Sequence, residues 1–226
     1  MGRRFAIGDI HGCLKTFRSL VEDVIQLERD DTLYLLGDYI DRGPDAAGVL
    51  DTIIGLQEAG WLVYPILGNH ERMLLDSLRS TQAESLWLLN GGAATLESFG
   101  VDTPRDIPRR YLEFIGSLPL CRVIDDYAFV HAGLDFGKKY PLSESSETTM
   151  LWGRECLATP DLIGGRTLVV GHTVTGMESI EASLSTGCIR IDNGCYQGVR
   201  LSLGALVALN LDTRKIVRRL NCEEFC

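Results

Sequence analysis

Short apolar runs that alternate with stretches of helical period constrain the fold of the first seventy residues more than any other feature. The runs at 5–7, 33–36 and 62–67 have strand length, and a glycine follows each of them. In the two segments between them, 14–25 and 49–56, apolar residues recur at helical spacing. Because β-α-β crossovers are right-handed, this order predicts parallel strands in an α/β domain that begins with a βαβαβ unit.

The rest of the chain is predicted to be helical first and then rich in strands. Residues 72–117 have mainly helical character, with breaks at 91–92 and at Pro104. Further strands are predicted at 120–124, 128–131, 168–170, 188–191, 203–209 and 216–220. Periodicity leaves open whether the strands form one sheet or two packed sheets. Since no repeat or Pro/Ser-rich linker divides the chain, a single domain over residues 1–226 is predicted.

Composition excludes several classes of protein. The chain is 45% hydrophobic and 23% charged, and it has no apolar run of membrane-spanning length, which is typical of a globular protein that does not enter a membrane. The net charge of −9 argues against a nucleic-acid partner. No signal sequence is apparent at the N-terminus, so a cytoplasmic location is expected. The seven cysteines are scattered without a C-x-x-C pair, which predicts reduced thiols.

Polar clusters follow each of the first three predicted strands, at 8–12, 37–43 and 68–71. The carboxyl ends of parallel strands meet at one edge of a sheet, so the three clusters should converge on a single site. His131 and His172 also follow directly on later predicted strands. All four histidines of the chain are therefore expected near strand ends, where they can share one site.

The first cluster has the residue types of a metal site. Asp9 and His11 are two residues apart, so both side chains can point the same way from the end of an extended strand. A carboxylate and an imidazole in that arrangement can chelate one divalent cation. An isolated Asp-x-His pair is weak evidence for a metal, but its recurrence with the other histidines after strands favours a shared metal centre.

Five ordered motifs resemble those of the PPP-type metal-dependent phosphoprotein phosphatases, in particular the short bacterial and phage-type members. The motifs are GDIHG at 8–12, GDYIDRG at 37–43, GNHE at 68–71, HAGL at 131–134 and GHT at 171–173. The resemblance covers about three quarters of the chain. It implies a metallophosphoesterase-type β-sandwich flanked by helices, with two divalent metal ions at the edge of a sheet.

The resemblance also implies how the two metals are held. One set of ligands would be Asp9, His11 and Asp38, and the other would be Asp38, Asn69, His131 and His172, with Asp38 bridging. Nitrogen and oxygen ligands without a thiolate suit Mn²⁺, the metal expected here, and also Fe and Zn²⁺. Two such cations can polarise a phosphoryl group and lower the pKa of a shared water, whose hydroxide attacks phosphorus directly.

By the same resemblance, His70 would protonate the leaving alkoxide, and Asp41 would orient His70. Arg42 and Arg154 would bind the phosphate oxygens. The expected activity is hydrolysis of phosphomonoesters, above all phosphoserine and phosphothreonine in proteins, with phosphotyrosine and small phosphoesters as further substrates. No obligate regulatory subunit is expected, because little of the chain follows the last motif.

The sequence also bears on four other interpretations of the chain. No cysteine precedes an arginine by six positions, and the G-x-x-x-x-G-K-[ST] phosphate loop is absent, which excludes two other phosphate-handling chemistries. Relatives with symmetrical dinucleoside tetraphosphatase activity generally carry Ala at position 41 and Asp at position 71. Asp41 and Glu71 therefore favour phosphomonoesters, with dinucleoside polyphosphate hydrolysis as the alternative. A non-catalytic metal-binding module would lack His70, Asp41 or Arg42, and all three are present.

The role of the segment at 86–92 stays open at this point. It resembles a region that caps the site in phage-type relatives, but it also fits a buried amphipathic helix with a glycine break.

Overall fold

The computed structural model describes residues 2–224, whose strands form two sheets. In chain order the strands are β1 (Arg4–Ile7), β2 (Thr32–Leu35), β3 (Leu62–Pro65), β4 (Cys121–Val123), β5 (Tyr127–Val130), β6 (Thr167–Val170), β7 (Cys188–Arg190), β8 (Asp192–Asn193), β9 (Ala205–Asn210) and β10 (Lys215–Leu220). The first sheet has the order β10-β9-β1-β2-β3, with β8 paired to β9, and the second has the order β4-β5-β6-β7.

Helices cover both outer faces and the connections. In chain order they are α1 (Leu14–Ser19), α2 (Ala46–Glu58), α3 (Asn69–Ser77), α4 (Thr81–Trp87), α5 (Ala93–Phe99), α6 (Arg109–Gly116), α7 (Pro141–Glu144), α8 (Glu147–Trp152) and α9 (Met177–Ser183). A wider helical turn, Leu20–Ile25, extends α1, and another, Leu88–Gly92, joins α4 to α5. Short 3₁₀ turns lie at Pro104–Asp106, Pro160–Ile163 and Cys195–Gln197. The mainly helical character predicted for 72–117 is confirmed.

Strand direction places three loops at one edge of the first sheet. β1 pairs with β2 and β2 with β3, both in parallel, which confirms the predicted βαβαβ unit. The register aligns Arg4 with Thr32 and Thr32 with Leu62, so the three strands end at the same level. β9 runs antiparallel to β1, and the first sheet is therefore mixed.

The two sheets pack face to face, and alternating side chains divide between the layers. On β2, Tyr34 points between the sheets, while Leu33 packs towards the helices on the outer face. On β5, Phe129 points between the sheets and stacks on Tyr34 at a ring distance of 4.5 Å, while Val130 faces outward. The predicted α/β sandwich flanked by helices is confirmed, with two sheets.

One prediction about the cysteines is wrong. Cys156 and Cys188 form a disulfide, with a Cα–Cα distance of 5.6 Å that lies within the normal range. They are 32 residues apart in sequence, and only the fold brings the irregular segment after α8 against β7. Spacing therefore carried no signal for this pair. Cys13, Cys121, Cys195 and Cys222 are free thiols.

The helices are short or mixed in polarity. Within residues 2–224, no helix has both the length and the hydropathy of a membrane span.

Candidate metal centre and active site

The loops after β1, β2 and β3 bind to one another through their backbones. The N–H groups of Ile10 and His11 both donate to the carbonyl of Asp38, at 3.0 and 2.8 Å. A side chain at Gly37 would lie 2.6 Å from the Cα of Gly68, so the second and third loops need glycine where they touch. The predicted convergence of the three clusters therefore follows from the parallel sheet and from close backbone contact.

The second loop is held in a conformation that side chains other than glycine rarely adopt. Asp38, Asp41 and Arg42 have φ values of 53°, 70° and 71°. Such residues cost free energy and persist only where the surroundings fix them, which is common at functional sites. In this loop, the fixed residues are the ones predicted to carry the chemistry.

Hydrogen bonds to the Glu71 side chain hold much of this loop in place. Its Oε2 accepts the N–H groups of Asp38 and Gly68 at 2.8 and 3.1 Å, and its Oε1 accepts those of Tyr39 and Ile40 at 2.8 and 3.3 Å. The side chain is fully buried. Burial and the neighbouring Asp38 carboxylate raise the pKa of Glu71 to about 8. From the sequence, Glu71 was only a marker of substrate class. The structure shows that it holds the Asp38 loop against the start of α3.

Asp38 lies between three imidazoles. Its Oδ2 is 3.5 Å from His11 Nε2 and 3.9 Å from His70 Nε2, and its Oδ1 is 3.4 Å from His131 Nε2. Burial opposes ionisation of this carboxyl, but attraction to the imidazoles in their protonated form, together with the backbone N–H of His70, lowers the pKa of Asp38 below its ordinary value. Asp38 is thus a buried carboxylate at the centre of the site, where the bridging ligand was expected.

Two groups of side chains have their ligand atoms within 4.8 Å of one another. The groups are His11, Asp38 and His70, and Asp38, His131 and His172. The Oδ1 of Asn69 adjoins the second group, at 2.8 Å from His131 Nε2 and 2.9 Å from His172 Nδ1. The structure therefore brings the second predicted ligand set together completely.

The protonation of the rings fits a divalent cation. The Nδ1 atoms of His131 and His11 lie 2.8 and 2.9 Å from the carbonyls of Leu36 and Ile40, so each Nδ1 carries the proton and donates it. In the neutral ring, each Nε2 then presents a lone pair towards Asp38. Within residues 2–224, the buried Nε2 of His172 has no hydrogen-bond partner. Burial lowers the pKa of His172 to about 4, which keeps this ring neutral. Neutral imidazoles facing a carboxylate are the ligands that divalent transition metals prefer.

Asp9 is buried, but it stands apart from both groups. Its two carboxylate oxygens accept the backbone N–H of His172 at 3.1 and 3.0 Å, and Oδ1 occupies the space that a side chain at Gly171 would need. Burial and the carboxylates of Asp192 and Asp38 raise the pKa of Asp9 well above its ordinary value. The role of Asp9 as a ligand stays a prediction.

Asp192 is a buried carboxylate that the sequence reasoning missed. Its Oδ1 accepts the N–H of Gly194 at 2.8 Å, and burial raises its pKa to about 6 despite that hydrogen bond. The signal was present in the sequence, because an acid and a glycine follow the predicted strand at 188–191, as they do after the first two strands.

His70 and Asp41 form a buried dyad. The Nδ1 of His70 lies 2.7 Å from Asp41 Oδ2, and both side chains are almost fully buried. Burial disfavours the charged imidazole, but the carboxylates of Asp38 and Asp41 raise the pKa of His70 above its ordinary value. Burial also raises the pKa of Asp41, although its hydrogen bonds oppose that shift. The dyad can therefore hold a proton on Nε2, the ring atom that faces Asp38.

The two predicted phosphate-binding arginines occupy different positions. The Nη1 of Arg42 is 2.8 Å from His11 Nε2, and its guanidinium lies 4.5 Å above the ring of Tyr196. Arg154 is exposed, and its carbonyl accepts a hydrogen bond from Arg190. Burial and His131 lower the pKa of His172, and the charge of Arg154 adds to that effect.

An aromatic side chain that the sequence did not single out stands beside the metal ligands. Trp152 is 40% exposed, and its ring centre is 5.9 Å from that of His172.

Residues 3–179 match the model of the calcineurin-like phosphoesterase family. The chain is 40% identical over 88 residues to serine/threonine-protein phosphatase 1 of Salmonella typhimurium. The matched segment covers 39% of this chain and 38% of that protein. It is 34% identical over 134 residues to the symmetrical bis(5'-nucleosyl)-tetraphosphatase of an Acidovorax species, which covers 58% and 43% respectively. The matched segments thus span less than half the length of these relatives.

Solved structures show the same fold. A putative diadenosine tetraphosphatase superposes with a TM-score of 0.69 at 23% identity, covering 96% of this chain and 92% of that one. The cold-active protein-tyrosine phosphatase of a Shewanella species superposes with a TM-score of 0.64 at 18% identity, covering 98% and 78%. Because the family model matches residues 3–179, which are most of the chain, this chain belongs to the calcineurin-like phosphoesterase family.

Proposed function

We propose that this chain is a metal-dependent phosphomonoesterase that hydrolyses phosphoserine and phosphothreonine esters in proteins. The observation that carries the proposal is the 2.7 Å hydrogen bond between His70 and Asp41. The alkoxide of serine or threonine is a strong base, so it leaves readily only when a general acid protonates it. A nucleotide released from a phosphoanhydride is a much weaker base and depends far less on such an acid.

The residues around Asp38 supply the other requirements of the reaction. When bound there, two divalent cations, with Mn²⁺ as the expected ion, would neutralise phosphoryl charge and lower the pKa of a water. Arg42 binds the phosphate oxygens from the edge of the cluster, where Tyr196 supports its guanidinium. His70 then delivers its Nε2 proton to the leaving oxygen, while Asp41 holds the opposite ring nitrogen. The proposed substrate is a phosphorylated cytoplasmic protein.

Hydrolysis of a dinucleoside polyphosphate is the second candidate. It is favoured by similarity to proteins named symmetrical bis(5'-nucleosyl)-tetraphosphatases, among them one of Dechloromonas aromatica at 30% identity over 190 residues. Asp41 and Glu71 argue against it, because the resemblance places Ala and Asp at these positions in the symmetrical enzymes. The full dyad of this chain would be of little use for a leaving group that needs no proton.

Rates on two classes of substrate test the proposal. The Mn²⁺-loaded chain should hydrolyse a phosphoserine peptide with a higher kcat/KM than diadenosine tetraphosphate. His70→Asn should lower kcat on the peptide by about 100-fold or more, since general acids contribute that much, with a much smaller loss on an aryl phosphate that has a good leaving group. Metal content measured on each sample controls for loss of cations.

A preference for diadenosine tetraphosphate, with equal losses on every substrate in His70→Asn, would contradict the proposal. Arg109→Gln, a change on the exposed face of α6, serves as the surface control and should match the wild type.

A further inference from the structure

The α4–α5 segment (residues 81–99) lies outside the loops that hold the metal ligands, but it contacts the acid dyad directly. The indole Nε1 of Trp87 donates to both carboxylate oxygens of Asp41, at 3.1 and 2.9 Å. The hydroxyl of Thr95 donates to Asp41 Oδ1 at 2.6 Å and accepts the backbone N–H of Asp41 at 2.9 Å. Two side chains of this segment therefore fix both the carboxylate and the backbone of Asp41.

These contacts determine how Asp41 faces His70. Thr95 binds Oδ1 and Trp87 reaches both oxygens, so Oδ2 is left directed at His70 Nδ1. The side chains of Trp87, Thr95 and Asp41 are completely buried, so water does not compete for the carboxylate. Trp87 is itself tightly placed, because a side chain at Gly92 would lie 2.5 Å from its ring.

The same segment supports the neighbouring arginine. The carbonyl of Gly91 accepts the backbone N–H of Arg42 at 3.2 Å. Gly91 has a φ of 109°, and a side chain there would lie 2.8 Å from Arg42 Cγ. The helix break at 91–92 was predicted, and the role of its segment was left open. It lies against the loop of Asp41 and Arg42, while Leu89 on the other face is 85% exposed.

We propose that Trp87 and Thr95 are positioning residues for the general acid. They hold Asp41 in its left-handed backbone conformation and turn its Oδ2 to His70, so that the imidazole directs its Nε2 towards the leaving oxygen. This inference rests on the proposed function. Because both residues act through the acid, their loss should slow only those reactions in which the leaving group must be protonated.

The test compares two substrates that differ in the basicity of the leaving group. Phenyl phosphate releases a phenolate with an ordinary pKa of about 10, whereas p-nitrophenyl phosphate releases a much weaker base. Thr95→Val keeps the shape of the side chain and removes the hydroxyl, and Trp87→Phe removes the indole N–H. In each variant, the kcat on phenyl phosphate relative to that on p-nitrophenyl phosphate should fall by about 10-fold, which is a part of the roughly 100- to 10,000-fold that general acid catalysis contributes.

Two further variants separate positioning from a general effect on the fold. Thr95→Ser retains a hydroxyl and should restore the ratio of the two rates. Ser98→Ala is the matched control, because Ser98 is a hydroxyl of the same helix that contacts Ala47 and Asp45 instead of the dyad. It should give the wild-type ratio.

Equal losses on both substrates in Thr95→Val and Trp87→Phe, or no loss on either, would overturn the inference. Circular dichroism and metal content show whether Thr95→Val folds. If it does not, Trp87→Phe and Thr95→Ser test the inference in its place, and a lowered ratio of the two rates in Thr95→Ser also contradicts the inference. His70→Asn separates the two proposals. If His70→Asn leaves the ratio unchanged, the proposed function fails. If it lowers the ratio while Thr95→Val does not, only the positioning role fails.

Discussion

Reduction of the disulfide between Cys156 and Cys188 should destabilise the folded chain by a predictable amount. The bond closes a loop that spans 32 residues, and this loop contains β6 and the turn of His172. By the chain-entropy relation, a loop of that length restricts the unfolded state by about 4 kcal/mol, and native disulfides typically contribute about 2–4 kcal/mol. Reduction should therefore lower the free energy of unfolding by that range, a large share of the stability of a domain.

Urea unfolding of the oxidised and dithiothreitol-reduced chain, followed by circular dichroism at neutral pH, measures this difference. Cys156→Ser is the control. Its free energy of unfolding should equal that of the reduced wild type and should not respond to dithiothreitol. A difference below about 1 kcal/mol between oxidised and reduced wild type would contradict this prediction, because the loop would then restrict the unfolded chain far less than its length requires.

Three further substitutions probe the site and its frame. Arg42→Ala should raise KM for an aryl phosphate by about 10-fold or more in steady-state assays, because hydrogen bonds to charged groups are worth about 1.5–3 kcal/mol, and an unchanged KM would remove Arg42 from phosphate binding. Gly171→Ala places a methyl group where Asp9 Oδ1 lies, so calorimetry should show a lower Tm, and a wild-type Tm would argue against this packing. Asp31→Asn should lower the free energy of unfolding at neutral pH by about 1–3 kcal/mol, because Asp31 accepts four hydrogen bonds from Arg3. Burial opposes ionisation, but these partners lower the pKa of Asp31 in the folded state, so its stabilisation is present above the ordinary pKa of about 4 and is lost as the pH falls through the folded value. Urea unfolding at neutral and acid pH should show the difference between wild type and Asp31→Asn vanish in acid, and a constant difference would contradict the assignment.

The position of the site was predictable because it depends on strand direction. Parallel strands that end at one level bring the clusters at 8–12, 37–43 and 68–71 together whatever the detail of their packing. The motifs then indicated which residue types face the centre, and the structure places Asp38 among the histidine rings as expected. Both inferences used local pattern, which a sequence displays directly.

What the sequence did not reveal depends on contacts between distant residues. Thr95 meets Asp41 across 54 positions, and Cys156 meets Cys188 across 32, and no periodicity records either distance. The role of Glu71 was hidden for another reason. Its four backbone donors come from loops whose shape is set only when the strands pair. Asp192, by contrast, follows its strand in a pattern that could have been recognised.

Titration of the metal-stripped chain with Mn²⁺ shows whether the reaction depends on two metal ions, when bound metal and the rate on a phosphoserine peptide are measured on the same samples. The stripped chain should be inactive, activity should recover in parallel with metal binding, and it should be full at two Mn²⁺ ions per chain, because two ligand sets that share Asp38 are predicted, one with Asp9 and His11 and the other with Asn69, His131 and His172. Full activity without metal, or tight binding of two ions that leaves the peptide intact, would contradict this prediction.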